Sequence, residues 1–141
     1  MISLAFLSSI TAGQLIAHAL GDYPFQTSWM AMGKTQRWLP AIVHGCVYGL
    51  IFWLVMQPSP QAMAVIVGTH ILIDRFRLAR YICWGKEFLT YPFQRPKSWK
   101  ECSKTGYDPN TPAHLADWLM IIIDNIMHVC INAWALYYLL G

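Results

Sequence analysis

His18 and Asp22 stand four residues apart in "AHALGDYPFQ" (17–26), and the same spacing recurs at His70 and Asp74 in "HILID" (70–74). A third pair runs in the opposite order, Asp124 then His128, in "DNIMH" (124–128). Imidazoles and carboxylates are donors for divalent zinc, iron and manganese, and a spacing of four places both members of a pair on one face of a helix. With His44 the set comprises four imidazoles and three carboxylates. That suffices for two metal ions, or for one ion with carboxylates orienting the imidazoles. The chemistry expected is metal binding, with zinc first and manganese or iron as alternatives. Asp22, Asp74 and Asp124 would complete the ligand set or act as general base toward a metal-activated water.

The elements that carry these groups are apolar. Of 141 residues, 56% are hydrophobic and 12% charged, about half the charged fraction usual in soluble domains. Mean hydropathy is +0.37. Seven Trp, seven Tyr and six Phe suit a protein anchored at two water–lipid interfaces. Four stretches approach the length of about 20 apolar residues that a bilayer core needs: 3–22, 39–57, 61–80 and 114–140. Pro24 ends the first, Pro40 suits the first turn of the second, and "QPSPQ" (57–61) turns into the third. Residues 1–21 contain no Lys, Arg, Asp or Glu. With no positive n-region they read as a retained span rather than a signal peptide. The expected fold is an all-α, four-span transmembrane helix bundle, a single integral-membrane domain over 1–141.

The basic residues orient that bundle. Lys34 and Arg37 fall between the first and second spans, and the other eight Lys and Arg lie between Arg75 and Lys104. All ten therefore lie on one side, which the positive-inside rule makes cytoplasmic, with both termini outside. The reversed order of Asp124 and His128 then matches a reversed helix. In all three pairs the Asp lies nearer the cytoplasm and the His about 6 Å deeper. His44, early in the second span, joins the same layer.

Intramembrane ionisable groups are costly and mark function by default. A divalent-cation or proton transporter or channel is an alternative, but a pathway should cross the bilayer. The outer half offers only Ser8, Ser9, Thr11, Gln14 and Asn132. A further alternative is a His/Asp network that merely joins the helices of an adaptor or inhibitor, at roughly 0.6 kcal/mol per bond. Around the core set, Gln26, Lys34, Arg77, Asp117 and Asn125 are candidate substrate or supporting residues. Gly45 and Gly49 suit either a homo-oligomer interface or close approach of a neighbouring helix beside His44.

Residues 81–112 form a long connection. Its first half alternates aromatic and charged residues and its second half reads as irregular loop; it is either a membrane-surface anchor or a cover. The four cysteines form no C-x-x-C pair and read as small apolar fillers. There is no P-loop and no nucleophile elbow, and no soluble basic domain points to nucleic acid; the expected partners are membrane lipids.

The set "HALGDYPFQ" (18–26), Lys34, His44, "HILID" and "DNIMH" resembles a family of small bacterial and phage integral-membrane proteins known only as a domain of unknown function. Asn125 stands where that family usually has Gln, and Arg77 where Lys is common. The resemblance implies a multi-pass protein of the bacterial inner membrane. A looser similarity, to predicted inner-membrane metal-dependent hydrolases, implies water activation by a bound metal. The expected function is a metal-dependent hydrolase at the cytoplasmic leaflet, acting on a lipid-linked or phosphate-containing substrate.

Overall fold

The computed structural model describes residues 10–139, which form helices and no strand. They fall into two units, one comprising the chain up to Phe76 together with the stretch from His128 onward, the other Arg77–Met127.

In the first unit, α1 (Ala12–Asp22) starts at Thr11, whose side chain accepts from the Gln14 amide. It stops just ahead of Pro24, as the proline requires. A short helix, α2 (Ser28–Gly33), is capped in the same way by Thr27. α3 (Trp38–Met56) carries Pro40 in its first turn, where no intrahelical N–H is needed. α4 (Pro60–Phe76) follows the "QPSPQ" turn, and the Ser59 hydroxyl donates to the Leu139 carbonyl. The last helix, α7 (Ala113–Tyr138), contributes its C-terminal part from His128 onward to this unit.

α1, α3, α4 and α7 each bury a stripe of residues spaced four apart. Gln14, His18 and Asp22 line α1; His44, Tyr48 and Phe52 line α3; Ala62, Ile66, His70 and Asp74 line α4. On α7, His128, Asn132 and Leu136 are buried at the same interval. At one end the stripes carry His and Asp, and toward the other Phe52, Ala62, Ile66, Ala135 and Leu136 belong to a buried apolar cluster. The outward face of α3 is the reverse of a water-soluble helix: Leu50, Trp53 and Leu54 are exposed while His44 is fully buried. This is the pattern of a helix whose surroundings are apolar.

Among the described residues, α3 and α7 are long and apolar enough to cross a membrane. The other two expected spans do not reach that length here. Of the stretch 3–22, residues 3–9 lie outside the described residues. The stretch 61–80 is cut short because Arg77 adopts a left-handed conformation (φ 51) that stops α4 at Phe76. Its 17 residues extend about 26 Å, somewhat less than the bilayer core of roughly 30 Å.

Close approach of α3 and α4 depends on glycine. A Cβ on Gly45 would run into the Ile71 side chain, and one on Gly49 would stand 2.5 Å from Val67 Cγ2. The close-approach reading of this pair therefore holds, with α4 of the same chain as the neighbour.

The second unit contains α5 (Ala79–Lys86), a 3-10 turn (Glu87–Thr90), the single turn α6 (Trp99–Cys102) and the N-terminal part of α7. Its core is Cys83, Tyr107 and Ala116, flanked by Leu119, Met120 and Ile123. The segment expected to be irregular loop is more ordered than its prolines suggest. Ser98 and Glu101 form a reciprocal capping box that starts α6, and Tyr81 stacks on Trp99 at 4.5 Å. Gly106 (φ 86) passes so close to the Arg80 carbonyl that no side chain fits there. All four cysteines are free. Cys83 and Cys102 are buried fillers, whereas Cys46 and Cys130 are exposed.

Candidate metal centre

The polar ends of the stripes converge within the first unit. α1 delivers Asp22, α3 delivers His44, and α4 delivers His70 and Asp74 one turn apart. The two Nε2 atoms of His44 and His70 lie 3.0 Å apart. His44 Nε2 is 3.4 Å from Asp22 Oδ1 and 3.2 Å from Asp74 Oδ2. His70 Nε2 is 3.3 Å and 3.2 Å from the same two oxygens. Each of the two nitrogens thus lies 3.0–3.4 Å from the other and from both oxygens. Ligands at about 2.0–2.1 Å from a tetrahedral zinc are separated by roughly 3.3–3.4 Å. His44, His70 and Asp74, whose ligand atoms all lie within 4.8 Å of one another, suit a divalent cation in donor chemistry.

Charge points the same way. Asp22 and Asp74 are both buried, and the one ammonium among them is Lys34, 3.0 Å from Asp74 Oδ2 and 3.3 Å from His44 Nε2. With neutral imidazoles the cluster carries excess negative charge in an interior that solvates it poorly, a condition that a bound cation relieves. The rings of His44 and His70 have buried Nδ1 atoms without a hydrogen-bond partner, so their polar contacts concentrate on Nε2.

His128 and His18 complete the imidazole layer differently. His128 Nε2 is 4.0 Å from Asp74 Oδ1, and Asp22, His70 and His128 form a second group whose ligand atoms all lie within 4.8 Å of one another. His18 turns its Nδ1 toward Asp22 Oδ2 at 3.4 Å and the Tyr48 hydroxyl at 3.1 Å. Of the supporting candidates, Lys34 reaches the cluster. Gln26 instead donates to the Asp22 backbone carbonyl at 2.9 Å and closes the end of α1. Asp117, Asp124 and Asn125 are half-buried on the part of α7 that belongs to the second unit, with Asp124 one turn before His128. Arg77 lies in the second unit too, with its guanidinium against Met120 Sδ at 3.6 Å.

Of three further contributors, Tyr48 went unmarked in the sequence, and Gln14 and Asn132 were placed there only among the polar residues of the outer half. Tyr48 stacks on the His70 ring (centroids 3.8 Å, interplanar angle 17°), which fixes the plane of that imidazole. Its hydroxyl accepts from Asn132 Nδ2 at 2.6 Å. Gln14 Nε2 donates to the Val129 carbonyl at 2.7 Å, tying α1 to α7. Each lies four residues from a site histidine: 44 and 48, 128 and 132, 14 and 18. Extending the same spacing by one turn ties them to the histidines.

Tyr48→Phe keeps the stacked ring and removes the acceptor of Asn132. We expect it to lower stability by about 1–3 kcal/mol, the cost of a buried polar group left unsatisfied, with metal content unchanged. Thermal unfolding in detergent and elemental analysis of the same preparation would check both.

Comparison with curated proteins found no match, and comparison with solved structures found none either. Over residues 10–140 the chain matches a family described as protein of unknown function (DUF3307), and it belongs to that family.

Proposed function

We propose that this is a multi-pass membrane protein holding a divalent metal, zinc by preference, between Asp22, His44, His70 and Asp74, and that the site serves a hydrolytic reaction at the cytoplasmic leaflet of a bacterial inner membrane. The observation that carries the metal reading is the four-donor cluster, in which each nitrogen lies 3.0–3.4 Å from the other and from both oxygens. The membrane reading rests on α3 and α7 and on the outward apolar face of α3. Among the described residues only α3 and α7 reach spanning length; a four-span assignment with both termini outside is the one that would place all ten basic residues on one side. Manganese or iron suits the same donors.

A divalent ion supplies polarisation of a water nucleophile at neutral pH. The protein's own part is to hold the donors, neutralise charge and exclude bulk water. Asp22 and Asp74 offer carboxylates to accept a proton, and His128 lies at the edge of the set. Lys34 places positive charge beside it for an anionic, phosphate-containing or lipid-linked substrate. The buried apolar cluster of Phe52, Ile66 and Leu136 at the other end favours a site over a cation or proton pathway.

The reading has a consequence for Lys34. Its ammonium contacts the same lone pairs, on Asp74 Oδ2 and His44 Nε2, that a metal would take. Lys34→Met is therefore expected to tighten metal binding on the order of tenfold, measured by chelator competition. The hydrolytic function is tested by incubating the metal-loaded, detergent-purified chain with phosphate-ester lipids. Phosphate or headgroup release that requires metal and is lost in Asp22→Asn supports it. Full metal occupancy with no release across such esters contradicts it, and metal flux into proteoliposomes would then favour transport.

A further inference from the structure

The metal centre leaves unexplained a projecting segment of the second unit. Between Glu87 and Lys97 the chain exposes four large apolar side chains: Phe88, Leu89 (85% exposed), Tyr91 and Phe93 (97% exposed). Its base is fixed. Trp84 Nε1 donates to the Lys97 carbonyl at 3.1 Å, and Trp84 meets Phe88 edge to face at 5.1 Å. Arg95, Lys97 and Lys100 follow the tip and are exposed. Of the carboxylates nearby, Glu87 begins the segment, and Glu101, which lines the groove described next, is engaged by the Ser98 amide and hydroxyl. A groove of about 750 Å³ opens between the Trp84, Phe88 and Tyr91 rings and the Arg95 and Lys97 side chains.

Exposed apolar residues followed by exposed cations match the two layers of an anionic leaflet, acyl chains beneath phosphate headgroups. We propose that residues 88–93 form an interfacial wedge that inserts Leu89 and Phe93 into the acyl boundary of the cytoplasmic leaflet, while Arg95 and Lys97 bind anionic lipid phosphates in the adjoining groove. The wedge rests on the proposed four-span reading, in which α3 and α7 cross a membrane and all ten basic residues lie on its cytoplasmic side. It is independent of the metal.

The test is nitroxide accessibility in the full chain, reconstituted in phosphatidylcholine with or without phosphatidylglycerol. Cys46→Ser and Cys130→Ser remove the exposed thiols. Cys83 and Cys102 are buried, and burial pushes both thiols up, so they label slowly. Labels go at Phe93→Cys, at Leu50→Cys on the outward face of α3, and at Asn110→Cys in an exposed polar loop. The wedge predicts that the Phe93 label is several-fold more accessible to oxygen than to a water-soluble nickel chelate, relative to Asn110. It should move deeper with phosphatidylglycerol and lose that shift in Arg95→Gln/Lys97→Gln. A Phe93 label that reads like Asn110 in both lipids, or is shielded from both reagents, overturns the proposal while Leu50 still reads as lipid-embedded. If Leu50 also reads as aqueous, the membrane reading falls and the wedge with it.

Discussion

Asp74→Asn is expected to abolish metal binding and to destabilise the protein even in the presence of a chelator. Asp74 Oδ2 lies 3.2 Å from both His44 and His70 Nε2 and 3.0 Å from Lys34 Nζ. The amide keeps the shape and removes the charge. Replacing groups outside the donor set of a metal site typically weakens binding about 10–100-fold, so loss of a donor should exceed about 100-fold. Without its carboxylate the Lys34 ammonium is left partly buried. Breaking a buried pair on one side costs about 3–5 kcal/mol. The lower end applies here, because the Lys34 side chain is 17% exposed and can turn outward. The double variant Asp74→Asn/Lys34→Met separates the two effects. Stability measured by unfolding should largely return, whereas metal binding should not. A double variant that is restored in both would mean that the cluster is a charge network rather than a metal site.

Gly45→Val should be nearly as damaging, by a different route. The contact of α3 with α4 at Gly45 is what lets His44 and His70 approach to 3.0 Å, and a side chain there meets Ile71. Overpacking of this kind typically costs about 1–3 kcal/mol. Separation of the helices would also pull the two imidazoles out of register, so metal content should fall in proportion. Gly68 on α4 provides the control, since an added Cβ there meets nothing within 4 Å. Gly68→Ala is expected to be neutral or slightly stabilising, as alanine is the better helix former by about 0.5–1 kcal/mol. Equal losses from both substitutions would show that the effect comes from glycine replacement in a helix rather than from the contact.

What could be read from the sequence is the part governed by helical periodicity. The fourfold spacing that joins His18 to Asp22 and His70 to Asp74 sets one face of a helix regardless of tertiary context, and both pairs lie on the buried stripes of α1 and α4. Pro24, Pro40 and the "QPSPQ" turn mark helix ends by local sterics and fall at them. The end of α4 was hidden because it depends on a left-handed Arg77, a conformation no motif at that position announces. The contact of Lys34 with Asp74 depends on the path of the chain through α2, across 40 residues of sequence, and periodicity carries no information on it. Tyr48 and Asn132 carry no charge, so their types do not mark them as partners of the histidines; only their place one turn from His44 and His128 does.

The central claim, that the buried histidines and aspartates hold a metal, is most directly tested by elemental analysis of the full chain purified in detergent, side by side with His70→Ala. His70 is the one imidazole within reach of both Asp22 and Asp74 that also belongs to both donor groups described above. The account predicts near-stoichiometric divalent metal in the parent protein and its loss in His70→Ala, with helical content retained. A parent protein that purifies and refolds free of metal, binds none on addition, and matches His70→Ala in metal content would contradict it.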